Sequence, residues 1–466
     1  MSDNTLTCDP DLLRRYDQPG PRYTSYPTAP HFGPHFQEAM LREYIHRSNE
    51  ELIPRRLSLY LHVPYCSSPC FYCGCNRIIT RDRTAGRRYV ERLIREKSLA
   101  GPLFDRDREV IQVHFSGGTP NFLRPDELRD VMRTLGQQFQ LSNAPVRDFS
   151  IEIDPRFLDA ADIAAYADMG LNRASLGVQD FDPVVQAAVN RVQTVQQTLA
   201  AIEACRRTGF RSINVDLIYG LPHQTLQGFG QTLDTVIGIR PHRLAVYGYA
   251  HMPHLFKPQR RIDAAHLPNA EQRIALLQLA IEKLTGAGYV YIGMDHFALP
   301  EDDLTCAYDA GTLHRNFMGY TTHADCDLLG LGVSAISHIG DSFSQNPRDL
   351  TSWEVAVDQG ELPTWRGLAL SEDDIIRADV IQQIMCRGEV DLRRIEDRYD
   401  LVFEQYFADA LVQLVPLEHD GLVDVDPERI AATSRGRLLL RMIAMCFDRY
   451  LQAPAPAERP RHSRVV

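Results

Sequence analysis

Six short apolar, β-branched runs alternate with longer amphipathic segments between residues 57 and 249, and this alternation limits the fold more than any other feature of the chain. LSLYLHV (57–63), VIQVHFS (110–116), FSIEID (149–154), RASLGV (173–178), SINVDLIYG (212–220) and RLAVYGY (243–249) read as strands. Segments near 84–100, 125–140, 159–168, 181–189, 194–208, 225–238 and 270–286 read as helices. Apolar strands joined by amphipathic helices require parallel α/β architecture, because a parallel neighbour is reached only by a crossover. The expectation is an α/β fold built on a partial (β/α)6 TIM-like barrel, with YVYIG (289–293) as a further element. In such a barrel the C-terminal strand ends share one rim, where active sites sit. Cys66, Gly117, Glu152, Gln179, Asp216 and Tyr249 all fall in or just after the six runs, mostly at their C-terminal ends.

The flanks divide by composition. Residues 1–50 read as an irregular N-terminal arm, interrupted by Pro19, Pro21, Pro27 and Pro30, with FQEAMLREYIHRSN as a short amphipathic helix. Residues 51–365 hold the barrel and a loop-rich extension, including the glycine-punctuated LLGLGVSAISHIG (328–340). Residues 366–453 read as a small, mostly helical C-terminal domain, with Ser371 and Asp374 as a helix-start signal and LVDVDP as a turn or hairpin. Winged-helix-like packing suits that pattern, but its acid-rich composition points to a lid or scaffold rather than to DNA. APAPAERPRHSRVV makes 454–466 a disordered tail by composition. A net charge of −11 argues against broad nucleic-acid binding. No window approaches 18 continuous apolar residues and the first twenty lack the basic-then-apolar pattern of a signal peptide, so no membrane insertion and a cytoplasmic, reducing location are expected.

Cys8, Cys205, Cys306, Cys326, Cys386 and Cys446 are scattered singly, as buried small hydrophobes or idle thiols are. The other four cysteines lie in ten residues, Cys66-Ser-Ser-Pro-Cys70-Phe-Tyr-Cys73-Gly-Cys75. Thiolates are soft ligands, which leaves tetrahedral zinc or an iron–sulfur cluster. A structural zinc site usually shows two Cys-x2–4-Cys pairs with a longer spacer, whereas here Cys73 and Cys75 are one residue apart and no second pair follows. The run also differs from the ferredoxin spacing. Cys-x3-Cys-x2-Cys can wrap three corners of one cubane and leave the fourth iron open to a non-protein ligand, which is the logic of a catalytic metal site.

With an aromatic before its third cysteine, this run resembles the signature of the radical S-adenosylmethionine enzymes. Its context, LYLHVPYCSSPCFYCGCNRIITR with YTSYPTAPHF upstream, resembles more narrowly the oxygen-independent coproporphyrinogen III oxidases. GGTPNFL, EIDPR, GVQDFDPVVQAAVNR, VDLIYGLPHQT, YGYAHMPHLFKPQR, GMDHFA, NFMGYTTH and LLGLGVSAIS agree with that family's pattern, from about Tyr23 through the C-terminal domain. The resemblance implies one [4Fe-4S] cluster on Cys66, Cys70 and Cys73, and two molecules of S-adenosyl-L-methionine. It implies that a 5′-deoxyadenosyl radical takes hydrogen from two propionates of coproporphyrinogen III, which become vinyl groups. An electron donor such as a flavodoxin or ferredoxin and a monomeric state are expected with it. A haem chaperone, another porphyrin-processing enzyme of the same class and a structural zinc protein are the alternatives; Cys75 and the YGYAHMPH and GYTTH segments favour the oxidase.

By resemblance Tyr60, Gly117, Glu152 and Ile336 face the cluster-bound cofactor, and Tyr72, Gly118, Thr119, Gln179, Arg191, Asp216 and Ala250 face a second one. Cys75 is expected to be required for activity without being a ligand, and Tyr60 to join it in catalysis. The residue chemistry agrees in part. Glycines 117 and 118 let backbone approach a ligand. Glu152 has the charge for a cationic or hydroxyl-bearing part of the cofactor, and an ionised Asp216 inside an apolar run needs a partner. Arg191 has the planar fork that matches a carboxylate. Tyr60 and His62 alternate with Leu59, Leu61 and Val63 and so share a face. For an anionic substrate, Lys257, Arg260 and Arg261 offer cations, or form a solvated loop; His251 and His254 lie beside them in sequence.

Overall fold

A computed structural model describes residues 6–451 together with Ser463 and Arg464. Its centre is six parallel strands in chain order: β1 (Arg56–Val63), β2 (Glu109–Gly117), β3 (Asp148–Ile153), β4 (Arg173–Gln179), β5 (Ser212–Tyr219) and β6 (Arg243–Gly248). Each pairs with the next in parallel register. The crossovers are α1 (Thr84–Ala100), α2 (Pro125–Gln138), α3 (Ala160–Asp168), α4 (Val195–Arg207) and α5 (Leu226–Ile239), with α6 (Ala270–Gly286) following β6. The expected partial (β/α)6 barrel is therefore the architecture found. The sheet extends past it on both sides. β7 (Cys326–Leu331) runs parallel to β1, whereas YVYIG forms Val290–Gly293, which joins the sheet antiparallel through His296–Ala298 rather than as another βα unit.

Alternation along the strands explains the layers. Leu57, Leu59, Leu61 and Val63 of β1 point out to the helices and are 0% exposed. Between them Ser58, Tyr60 and His62 point inward. The same period places Gln112 and His114, Asp148, Ser150 and Glu152, Arg173 and Ser175, Ser212, Asn214 and Asp216, and Arg243 and Tyr247 on the inner face, around a cavity of about 150 Å³. Closed barrels usually fill this space with branched apolar side chains. Here the interior is polar and open at its centre.

A second core lies outside the barrel. Val380 and Ile384 of α7 (Glu372–Arg387) pack with Phe403, Phe407, Leu414 and Phe447, and the arm residues Leu12, Leu13, Tyr23 and Tyr26 belong to the same cluster. Tyr23 Oη donates to Asp448 Oδ2 at 2.9 Å. Ser371 caps α7, accepting from the Asp374 amide at 3.2 Å, which is worth about 1 kcal/mol. LVDVDP supplies Val423–Val425, paired antiparallel with Arg429–Ala432 in a three-stranded sheet completed by Glu389–Asp391. The disordered tail expected over 454–466 lies outside the described residues except for Ser463 and Arg464, which do make contacts: the Gly20 amide donates to Ser463 O at 3.0 Å and Arg464 Nε to Asp17 at 2.7 Å.

Candidate active site

The cysteine run forms the loop after β1, at the rim. Cys66 and Cys70 are buried, Cys73 is half-buried and Cys75 is exposed; all four are free thiols. Three guanidinium groups surround them. Arg77 donates to the carbonyls of Cys73 and Cys70, each at 3.0 Å, and so holds the loop's curve. Arg191 Nη1 lies 3.5 Å from Cys70 Sγ and Arg156 Nη2 3.7 Å from it. Thr119 Oγ1 donates to Cys66 Sγ at 3.2 Å. Burial pushes the Cys66 thiol up to about 12, with Thr119 pulling the other way. The hydrogen bond from Cys75, together with Arg77, brings Cys73 down to about 6. Among the described residues no three His, Cys, Asp or Glu side chains converge where a single ion would sit. A cubane asks instead for one thiolate on each of three irons, and three thiols on one curved loop among three arginines suit such an anionic group.

Gly117 and Gly118 end β2 where backbone must pass close to β1. A Cβ on Gly117, whose φ is +110°, would lie 2.5 Å from His62 Cε1, and one on Gly118 would lie 2.7 Å from the Pro64 carbonyl carbon. The Gly118 amide donates to Val63 O at 2.7 Å and the Thr119 amide to Tyr65 O at 2.9 Å, which locks GGT against the cysteine loop. Beside it, His62 Nε2 donates to the Asn76 carbonyl at 3.0 Å. Its Nδ1 is thereby left to accept from Tyr60 Oη, also at 3.0 Å. Burial lowers His62 and raises Tyr60, keeping both neutral. Tyr60 pairs across the sheet with Gly330, and Ile336 passes directly over that glycine, its carbonyl oxygen 2.4 Å from where a Cβ would stand. Tyr60, Gly117 and Ile336 are thus brought together.

Glu152 and Asp216 lie deeper, on the inner face of the barrel. Burial works to raise Glu152, but His114, 3.8 Å away, with Ser116 and His62 outweighs it and keeps the carboxylate ionised. Asp216 accepts from Asn214 Nδ2 at 2.7 Å and Ser175 Oγ at 3.1 Å. Burial, and the charge of Glu152, push it up to about 7.

Arg191 is more committed than its sequence context suggests. It pairs with Asp154 at 3.2 Å, and Asp154 also pairs with Arg156 at 2.6 Å. Two buried guanidiniums thus share one carboxylate at the Cys70 sulfur. EIDPR supplies this arrangement, and an acid two residues before an arginine at a strand end is the signal in the sequence from which it could be found. Arg191 Nε and Gln179 Oε1 are buried without hydrogen-bond partners, and Gln179 has a positive φ of 73° that turns it at the strand end. Gln259, also missed, donates to both the Tyr72 carbonyl at 2.8 Å and the Ala250 carbonyl at 3.1 Å, joining those two expected site residues. Lys257, Arg260 and Arg261 are not gathered into the barrel: all three are exposed, with Arg260 donating to Pro253 O and Arg261 stacked 5.4 Å from the Phe71 ring. His251 and His254 line a cavity of about 330 Å³ together with Ala250 and Arg22.

Residues 60–236 match the radical SAM superfamily and residues 370–439 the HemN C-terminal domain. The chain is 48% identical to an oxygen-independent coproporphyrinogen III oxidase of Pseudomonas aeruginosa, covering 99% of this chain and all of that one. It is 45% identical to the protein so named in Escherichia coli, over the full length of both. The chain belongs to the oxygen-independent coproporphyrinogen III oxidase family. The solved E. coli coproporphyrinogen III oxidase (HemN), described as a radical SAM enzyme, superposes with a TM-score of 0.91 at 45% identity, covering 96% of this chain and all of that one. Membership in this radical SAM family entails a [4Fe-4S] cluster and S-adenosylmethionine. No helix among the described residues is long and apolar enough to cross a membrane.

Proposed function

We propose that this chain converts coproporphyrinogen III to protoporphyrinogen IX without oxygen, in tetrapyrrole biosynthesis. Each of two propionates loses a hydrogen atom from its β-carbon. The bond to its carboxylate carbon then breaks, CO2 departs, and one electron passes to an acceptor, leaving a vinyl group. The observation that carries this reading is the three-thiol loop set among Arg77, Arg156 and Arg191 at the rim, in a chain aligned end to end with oxidases of that name. The cluster with S-adenosylmethionine supplies, when bound, the carbon radical such a hydrogen abstraction needs.

The protein's own residues hold, orient and neutralise. Cys66, Cys70 and Cys73 are the ligands in this reading. Gly117 and the neutral Tyr60 flank the cluster-bound S-adenosylmethionine, with Glu152 for its positive charge and Ile336 against it. Tyr72, Gly118, Thr119, Gln179, Arg191, Asp216 and Ala250 hold a second molecule. Two features support that second site: the unpartnered Gln179 Oε1 and Arg191 Nε, and the Asp216 carboxyl, raised by burial and by Glu152, whose ionised form a nearby cation would favour. Cys75 is exposed beside the ligand set and acts on substrate. A flavodoxin- or ferredoxin-type donor, a cytoplasmic location and a monomeric state complete the reading.

The direct test is anaerobic incubation of reduced, reconstituted protein with coproporphyrinogen III, S-adenosylmethionine and an electron acceptor. Protoporphyrinogen IX and two CO2 per substrate are expected. Cofactor turnover with bound porphyrin and no vinyl product would reject the reading. Equilibrium binding should give two S-adenosylmethionine per cluster, and a value of one at saturation would reject simultaneous occupancy.

A further inference from the structure

A large cavity of about 780 Å³ lies between the barrel and the C-terminal helices, but at the wrong end for chemistry at the cysteine loop. Arg55 and Asp325, which line it, come just before β1 and β7, so it sits at the N-terminal strand ends. The hairpin of His314–Asn316 and Gly319–Thr321 forms part of its wall. Arg315 on that hairpin is closed against the Tyr320 ring at 4.7 Å, and Asp325 and Asp341 add acids to the lining.

The cavity of about 330 Å³ is at the other end. Tyr219 closes β5 and Gly248 closes β6, and both line it together with Gly220, Tyr249 and Ala250, so it adjoins the rim that carries the cysteine loop. Gln259, donating to the Ala250 and Tyr72 carbonyls, ties its wall to that loop. Its volume is at the small end of the range for ligand sites, enough for one pyrrole and its side arm rather than for a four-ring macrocycle.

The charge of this cavity is one-sided. Arg22, Arg273, Arg441 and Arg464 line it, and among the described residues Asp295 is its one lining acid. Arg464 is held from outside by Asp17 at 2.7 Å, and Arg441 supports the arm, donating from Nε to the Pro21 carbonyl at 2.9 Å. Burial and the nearby Arg22 bring Arg441 down to about 10, as crowded cations do. Arg22 is the member with capacity to spare. Its side chain is 34% exposed, and among the described residues only its Nη2 makes a hydrogen bond, to Asp295. Its guanidinium lies 5.6 Å from the centroid of the Tyr247 ring, and Tyr247 also lines the barrel interior with Glu152 and Asp216. A planar fork with open donors beside other cations is matched best by a carboxylate.

We propose that the 330 Å³ cavity seats one propionate arm of the substrate, with Arg22 as the residue that binds its carboxylate. This rests on the function proposed above, because it takes the ligand to be an anionic tetrapyrrole. Coproporphyrinogen III has four such arms and loses the carboxylates of two. A guanidinium stabilises a carboxylate more than the CO2 it would become, which opposes the loss, so the arm held here is one that is not reacting. Anchoring it leaves the rest of the macrocycle at the rim, with another propionate free to face the cysteine loop.

The test compares coproporphyrinogen III with its tetramethyl ester on reduced holoenzyme. Wild type should bind the acid at least tenfold more tightly than the ester. In Arg22→Gln that ratio should fall at least fivefold, with KM raised, kcat little changed and cluster absorbance intact, and Arg22→Lys should recover part of the ratio. A smaller fall in Arg22→Gln, whether both affinities hold or drop together, would overturn the inference while leaving the proposed function standing. A wild type that neither binds nor converts coproporphyrinogen III would overturn both. Should Arg22→Gln fail to fold, wild-type holoenzyme decides the matter by hydrogen exchange. Amides of 22–26 and 249–252 should be protected by the acid and not by the ester, and equal exchange with both would overturn the inference.

Discussion

The rim and the large cavity are built in opposite ways. At the rim, Cys66, Cys70, Cys73, Gly117, Gly118 and Thr119 come from two adjacent strand ends, and each contact between them is fixed by a short motif. The cavity brings together Tyr23, Arg315, Phe343 and Arg394, which share no motif and meet only because the arm and the C-terminal helices fold onto the barrel. A site of the first kind is stiff and intolerant of small changes. The second kind depends on docking and should yield by degrees.

The sharpest break is expected at the cysteines. Cys70→Ser removes the thiol that Arg156 and Arg191 both face, so visible cluster absorbance and all product formation should disappear. Cys75→Ser, changing the exposed thiol, should keep the absorbance and lose the product; equal loss of absorbance in both would make Cys75 a ligand. Next in size is Gly118→Ala, whose methyl would meet the Pro64 backbone at 2.7 Å. Overpacking there should cost about 1–3 kcal/mol, read as a lower unfolding midpoint together with weaker S-adenosylmethionine binding. An unchanged midpoint would show the rim to be more compliant than its contacts suggest.

A smaller effect concerns pH. Asp216, raised to about 7, is mostly protonated at pH 6 and mostly ionised at pH 8. A sulfonium beside it is favoured only by the ionised form, so affinity at the second site should rise about tenfold from pH 6 to 8, the span expected when one group one unit from each end controls binding. Calorimetric titration at both pH values checks this, and Asp216→Asn should flatten the dependence. The smallest effect is expected in the hairpin. Tyr320 Oη donates to the Met385 carbonyl on α7 at 2.8 Å. Tyr320→Phe should cost about 1 kcal/mol, read as a lower unfolding midpoint, with S-adenosylmethionine affinity unchanged. A fall in S-adenosylmethionine affinity of the same size would mean that the two regions are one mechanical unit.

What could be read in the chain follows the same division. The six strands and their crossovers were legible because LSLYLHV and its counterparts carry their own periodicity, and the cysteine spacing names its chemistry without any fold. The inner face was legible too, although it was not read as such: Ser58, Tyr60 and His62 recur every second residue, as do Ser150 with Glu152 and Asn214 with Asp216, and that period announces a polar interior. Arg156 was recoverable from EIDPR, since an acid at a buried strand end asks for a cation. Arg315 was not. Its local sequence, LHRNFMGY, reads as a polar turn, and only the Tyr320 ring across the hairpin and α7 behind it bury its guanidinium. Lys257, Arg260 and Arg261 left two readings open, cations for an anion or a solvated loop, and all three are exposed; a run of cations says nothing about which side of a loop faces a ligand.

The bond between Tyr23 and Asp448 spans 425 positions of chain. During translation at about 5–20 residues per second the tyrosine emerges roughly 20–85 s before the aspartate. Over that interval the barrel strands, each beside its predecessor, have all they need to pair, while Leu12, Leu13, Tyr23 and Tyr26 have Ile274 of α6 but still lack Phe403, Phe407 and Phe447, the far members of their cluster. The nascent chain therefore carries a finished cysteine loop on an unfinished molecule, with a sticky leading end that must be shielded until its far partner leaves the ribosome.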